Sequence, residues 1–198
     1  KLSSMDVIGF DEQLLEIITS EKRILPHLHL SLQAGDNMIL KRMKRRHLRE
    51  DAINLCSGIR KKRKDMAFGA DLITGFPTET DEMFLNTMKI VDECNLDWLH
   101  VFPFSPRPGT PAAKMPQNKK EVAKERARIL RSKGEEIKKL HLGSLVGKEV
   151  EVFVEKNNSG HTNQFAPVKL EDDFLPGSSV IAKIVKSDSN FVYGKSIN

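Results

Sequence analysis

The sequence predicts an α/β fold followed by a long helix and a small all-β barrel, and three observations predict it. Strand-like and helix-like stretches alternate three times up to residue 104, with helices long enough to be crossovers between parallel strands. From residue 117 to 142 apolar residues recur at helical spacing within a highly charged stretch. After Gly143 that periodicity ends, and short apolar alternations are separated by turn residues. A chain of 198 residues has room for more than one unit, since domains commonly hold about 100–150 residues.

The opening "KLSSMDVIGF" reads as the end of a strand leading to a helix. With Lys1 in place of an initiator methionine, an N-terminal part of the same polypeptide is expected to be missing. Residues 11–19 place Leu14, Leu15, Ile17 and Ile18 on one helical stripe, whereas "HLHLSLQAG" (27–35) alternates strictly, as a strand does. Asp36 is a fair N-cap for a helix over 36–46 carrying Ile39, Leu40 and Met43. A second helix over 49–63 carries Ala52, Ile53, Cys56 and Ile59. Then come a strand over 66–75, a helix over 79–94 led by Phe84, Met88 and Val91, and a strand in "LDWLHVFPF". The long helix carries Val122, Ile129, Ile137 and Leu140, and Gly134 is expected to interrupt it. Beyond it "GKEVEVFVEK", "HTNQFAPVKL" and "SSVIAKIVKSDSNFVYGKSI" read as strands, and about 55 residues suffice for a barrel that closes on itself.

Hydrophobic residues make up 39% and charged residues 30%, as in a soluble globular protein, and no apolar run approaches the ~20 residues of a membrane helix. No secretory signal is evident. Cys56 and Cys94 suggest neither a disulfide framework nor a zinc pair, so a cytoplasmic, reducing location is expected. The net charge of +5 is uneven. Residues 1–115 hold 17 basic and 16 acidic side chains, residues 116–142 hold 9 and 4, and residues 143–198 hold 6 and 7. The runs "KRMKRRHLR" and "RKKRK" would attract a polyanion such as RNA, although a solvated helix face is the commoner explanation of such runs.

In "HLHLSLQ" the leucines share one face while His27, His29, Ser31 and Gln33 share the other. The strand "GADLITG" repeats this, with Phe68, Ala70 and Leu72 opposite Gly69, Asp71, Ile73 and Gly75. A buried carboxylate needs a partner, so Asp71 is expected to meet an arginine, a lysine, an amide or a ligand. The glycines beside it leave room for something flat. Ligands of parallel-stranded sheets bind at the carboxyl ends of the strands, where Ser31, Gln33, Gly75 and "FPFSPRPGT" lie. The plainer reading is that Asp71 pairs with a core arginine, that Gly75 shapes a turn, and that His27, His29 and His100 are structural.

Four stretches taken together, "HLHLSLQAG...LKRMKRRH", "DLITGFPTET", "HVFPFSPRPGTPAAKM" and the terminal barrel, resemble the radical S-adenosylmethionine methylthiotransferases, most closely the tRNA threonylcarbamoyladenosine branch. The resemblance covers essentially the whole chain. It implies that residues 1–116 are the later part of a partial (β/α) radical SAM barrel, that 117–142 are a linker helix, and that 143–198 are an RNA-binding TRAM barrel. It implies S-adenosylmethionine and a [4Fe-4S] cluster as cofactors and tRNA as partner. The family's CxxxCxxC motif is absent, and the two cysteines cannot replace it, so the iron ligands are expected outside this chain.

The resemblance also assigns residues. Ser31 and Gln33 would approach the ribose and amino acid part of S-adenosylmethionine, and Arg45 would hold its carboxylate. Asp71 would border the active cavity, Ile73 and Gly75 would lie under the adenine, and the backbone of Val101 and Phe102 would reach its edge. Arg107 is the candidate for substrate or cofactor charge, and Lys41 and Arg46 for RNA. The chain departs from the family at Ala34, where serine is usual, at Leu48 in place of threonine, and at Thr78 in place of the glycine of "GFPGET".

What this implies is the C-terminal part of an enzyme in which an adenosyl radical abstracts hydrogen from C2 of N6-threonylcarbamoyladenosine and a methylthio group is delivered there. The 198-residue chain alone is expected to be inactive. The alternatives are the same chemistry on isopentenyladenosine tRNA or on a ribosomal protein aspartate, and a non-catalytic RNA-binding adaptor.

Overall fold

A computed structural model describes residues 2–197; Lys1 of the "KLSS" opening lies outside them. Four parallel strands, β1 (Leu2–Met5), β2 (His27–Gln33), β3 (Ala67–Thr74) and β4 (Trp98–Pro103), stand in that order in one sheet. They are joined by α1 (Glu12–Ser20), by α2 (Asn37–Arg42) with α3 (Arg49–Lys62), and by α4 (Asp81–Glu93). Leu28, Leu30, Phe68, Ala70 and Leu72 pack with Ile18, Cys56, Ile59, Ile90 and Val91 in one buried core. The helices therefore cover the face that the alternation assigns to leucine, and the polar face is left open.

The helix expected over 36–46 ends early. Asp36 caps α2 by accepting from the amides of Met38 (2.9 Å) and Ile39 (3.2 Å). At the other end Lys44 takes a left-handed φ of 57°, and the amide of Arg45 donates back to the carbonyl of Leu40, which stops the helix.

Helix α5 (Lys120–Ser144) runs without a break through Gly134, contrary to expectation. Gly134 faces Leu99 of β4, where a Cβ would stand 3.2 Å from that side chain, so its smallness serves packing. Ala123, Ala127 and Leu130 of α5 are buried against the sheet, and Leu142 is buried in the core of the following barrel.

That barrel consists of β5 (Glu149–Lys156), β6 (Ser159–Thr162), β7 (Pro167–Leu170), β8 (Ser179–Ser187) and β9 (Val192–Ser196). It is closed in the order β5-β6-β7-β9-β8, with β8 returning to β5. The stretch "HTNQFAPVKL" holds the end of β6 and all of β7, and "SSVIAKIVKSDSNFVYGKSI" holds β8 and β9. Pro167 opens β7, a position where its missing amide costs little. No helix is long and apolar enough to cross a membrane among the described residues.

Candidate functional site

The carboxyl ends of β2, β3 and β4 form a cavity of about 470 Å³ lined by Gln33, Asp71, Ile73, Phe102, Phe104 and Arg107, among others. Five residues singled out in the sequence thus meet in one place. Arg45 lines an adjoining cavity of about 290 Å³ together with Gln33 and Ile73. Gly75 lines a third, of about 450 Å³, with Phe104, Lys120 and Lys124. Ser31, Val101, Lys41 and Arg46 do not line the first cavity. Ser31 is half-buried and Lys41 exposed. Arg46 pairs with Asp6 at 3.6 Å, at the amino end of the chain. The Val101 carbonyl, expected at the edge of an adenine, accepts instead from Arg131 through Nε (3.2 Å) and Nη2 (2.7 Å).

Gln33 departs from the strict alternation. The pairing of β2 with β3 shifts register between Leu30 and Gln33, and Gln33 has a φ of 70° with the amide of Ala34 donating to the carbonyl of Leu32 at 2.9 Å. A tight turn therefore sets the Gln33 amide at the cavity rim. Such backbone costs about 1–3 kcal/mol in a residue other than glycine and concentrates at ligand sites.

The Gly75 turn is tied down from beneath. Its φ is 69°, and a Cβ there would stand 2.2 Å from that of Ala123, so helix α5 requires glycine. Its amide donates to Glu79 Oε2 at 2.7 Å. Arg126 donates to the same oxygen at 2.7 Å and to Asp81 Oδ1 at 2.6 Å. Burial nevertheless pushes the Glu79 carboxyl up from its ordinary value, against these donors. Thr78, where the resemblance expects glycine, has a φ of 67°.

Asp71 meets histidines, not an arginine. Its Oδ1 lies 3.0 Å from His29 Nε2 and 3.3 Å from His100 Nδ1. Asp71 and His100 are direct cross-strand partners, and His29 is opposite Gly69. The flat object beside Gly69 is the His29 ring, because a Cβ on Gly69 would stand 2.4 Å from Nδ1. Taken one at a time, the three histidines read as structural in the sequence. Their shared polar face with Asp71 was the available signal. A fourth cavity, of about 370 Å³, lies between this face and the β-barrel, lined by His29, His100, Trp98, Arg131, His161 and Phe165 among others.

Cys56 and Cys94, remote in sequence, meet in the helix layer as free buried thiols. Their mutual hydrogen bond and burial push the Cys56 thiol well above its ordinary value. Inert thiols on the covered side of the sheet do not fit an iron–sulfur cluster.

Comparison with known proteins places the chain among radical SAM enzymes. Residues 3–91 match the family model described as the Radical SAM superfamily. The chain is 47% identical over 196 residues to the threonylcarbamoyladenosine tRNA methylthiotransferase MtaB of Rickettsia prowazekii, covering 97% of the chain and 46% of that protein. It is 35% identical over 187 residues to MtaB of Aquifex aeolicus, covering 94% and 44%. With the tRNA-2-methylthio-N(6)-dimethylallyladenosine synthase of Geobacillus thermodenitrificans it shares 40% over 180 residues, covering 89% and 34%. The chain thus spans less than half the length of these curated relatives. Among solved structures, coproporphyrinogen III oxidase (HemN) of Escherichia coli, a radical SAM enzyme, superposes with a TM-score of 0.59 at 17% identity. That match covers 99% of this chain and 50% of the other, and it speaks for the fold alone.

Proposed function

The chain belongs to the radical SAM methylthiotransferase family, and from that premise we propose that it walls the S-adenosylmethionine cavity and faces the RNA in a tRNA methylthiotransferase. The reaction is addition of a methylthio group at C2 of N(6)-threonylcarbamoyladenosine. The observation that carries this reading is the 47% identity with the Rickettsia enzyme across 97% of the chain.

The donor set of the cavity suits a charged nucleoside. Gln33 offers an amide, Asp71 a carboxylate, Arg107 a guanidinium, and Ile73 and Phe102 apolar surface for a base. Arg45, in the adjoining hollow, would take the carboxylate of the amino acid part. Bound there, S-adenosylmethionine supplies the family's oxidising and methyl-donating chemistry. This chain's residues bind it, orient it and exclude water. Cys56 and Cys94 do not fit the [4Fe-4S] cluster that the family implies. In this reading the 198 residues alone do not cleave S-adenosylmethionine.

The closed five-stranded barrel is assigned here as a TRAM module that grips the tRNA, beside a partial (β/α) barrel over residues 1–116 and a linker helix over 117–142. Lys41, Arg46 and the basic side chains of α5 would contact phosphates, with affinity falling as salt rises. Mass spectrometry of tRNA nucleosides from cells lacking the gene tests the assignment. Loss of the methylthio form of N(6)-threonylcarbamoyladenosine is expected. Loss of the isopentenyladenosine form instead, or an intact nucleoside profile, would overturn it.

A further inference from the structure

His29, Asp71 and His100 present one ligand atom each within 4.8 Å of one another, and among the described residues they are the set of three with that geometry. We infer that they form a binding site for a divalent transition metal ion, zinc above all, with one coordination position left open to solvent or ligand. The inference shares Asp71 with the proposed function but does not rest on it, because it is argued from the three side chains alone and is tested by metal binding.

Both distances from the carboxylate suit a metal site, and the third pair lies within 4.8 Å. Ligands about 2.0–2.1 Å from a tetrahedral zinc ion stand ~3.3 Å from each other. Asp71 Oδ1 is 3.0 Å from His29 Nε2 and 3.3 Å from His100 Nδ1. Two imidazoles and a carboxylate are donors that suit zinc and its neighbours, whereas magnesium and calcium prefer all-oxygen sets.

The framework is rigid. Each ligand comes from a different one of three adjacent paired strands, β2, β3 and β4, and so is held by the ladder rather than by a loop. Gly69 is part of the design, since any side chain there would push the His29 ring off the strand and away from Asp71. Burial is graded as an open site needs. The His29 side chain is 8% exposed, that of Asp71 26% and that of His100 61%, so the outer side remains accessible. Asp71 lines the cavity at the strand ends, while both histidines line the cavity beneath the β-barrel. The trio thus stands on a wall common to both. A fourth ligand, water or an oxygen or sulfur donor of a bound molecule, can reach the ion from there. Among the described residues the other histidine–carboxylate contacts, His47 with Asp6 (3.7 Å), His141 with Asp97 (3.1 Å) and His161 with Glu155 (3.0 Å), are pairs.

The test is titration of the full chain, stripped with a chelator, with Co(II) followed by visible absorption and with Zn(II) followed by calorimetry. One equivalent should bind, with the visible bands of four-coordinate cobalt that zinc bleaches. Asp71→Asn and His100→Ala should each weaken binding by at least about a hundredfold, beyond the ~10–100-fold that loss of even an outer partner costs. His161→Ala should leave it unchanged. In the unaltered chain, imidazole NMR signals of His29 and His100 should move on zinc addition while that of His47 stays, a readout that needs no variant. The inference is overturned if no stoichiometric binding occurs, if binding survives both ligand variants, or if the shifted signals belong to His141 or His161.

Discussion

The indole Nε1 of Trp98, on β4, donates to the main-chain carbonyl of Gln164 in the β-barrel at 3.2 Å, and the Gln164 side chain in turn donates to the carbonyl of Asp65 at 2.5 Å. Barrel and sheet are therefore fastened at a definite point. Trp98 is the chain's single tryptophan, so its fluorescence reports on this junction. Trp98→Phe should remove about 1 kcal/mol of docking with the hydrogen bond. Limited proteolysis should then cut faster between α5 and β5, and an unchanged cleavage rate would show that the junction contributes nothing.

Leu48 precedes α3 with 51% of its surface exposed, and no side-chain oxygen caps the helix, although Asp51 accepts from the Leu48 amide at 2.7 Å. Leu48→Thr supplies the missing half of a capping box. It should raise stability by about 1 kcal/mol in denaturant unfolding.

Thr78 occupies left-handed backbone that glycine adopts freely. Thr78→Gly should relieve about 1–3 kcal/mol of strain and lose under ~1 kcal/mol to the greater freedom of the unfolded chain. A modest rise in melting temperature is the expected result.

Arg126 and Glu79 form a buried ion pair under the Gly75 turn. Arg126→Met should destabilise the fold by about 3–5 kcal/mol at neutral pH, since it strands a buried carboxylate. The Glu79 carboxyl already titrates above its ordinary 4.5 because of burial, and the variant raises it further. A raised carboxyl contributes stability at low pH that is lost as pH rises through the folded value. The deficit relative to the unaltered chain should therefore shrink on acidification, which unfolding curves at several pH values will measure.

His47 is fully buried and donates to the Leu32 carbonyl at 3.2 Å, and burial lowers its pKa from the ordinary 6.5. A depressed histidine contributes stability above its unfolded pKa that is lost as pH falls through it. Melting temperature should fall as pH drops through the ordinary histidine value of 6.5 and below, and His47→Gln should flatten that slope.

Alternation and capping residues made much of this fold legible. Leu28, Leu30, Phe68 and Leu72 are buried on the face they were assigned, and Asp36 caps the helix it was expected to cap. What escaped depends on residues distant in sequence. The register shift before Gln33 is set by the neighbouring strand, and the reason for Gly134 is Leu99 on another element. Asp71 showed that it needed a partner. The identity of that partner followed only from strand order, which makes His100 its direct neighbour and lays His29 over Gly69.

Because α5 is unbroken from its burial against the sheet at Leu130 to its burial in the barrel at Leu142, it acts as a phasing rod. Inserting one residue between those anchors would turn everything beyond by roughly 100° and advance it by ~1.5 Å. Its length is then a gear setting for how the barrel is aimed, tolerant of substitution on its outer side and intolerant of any change in count.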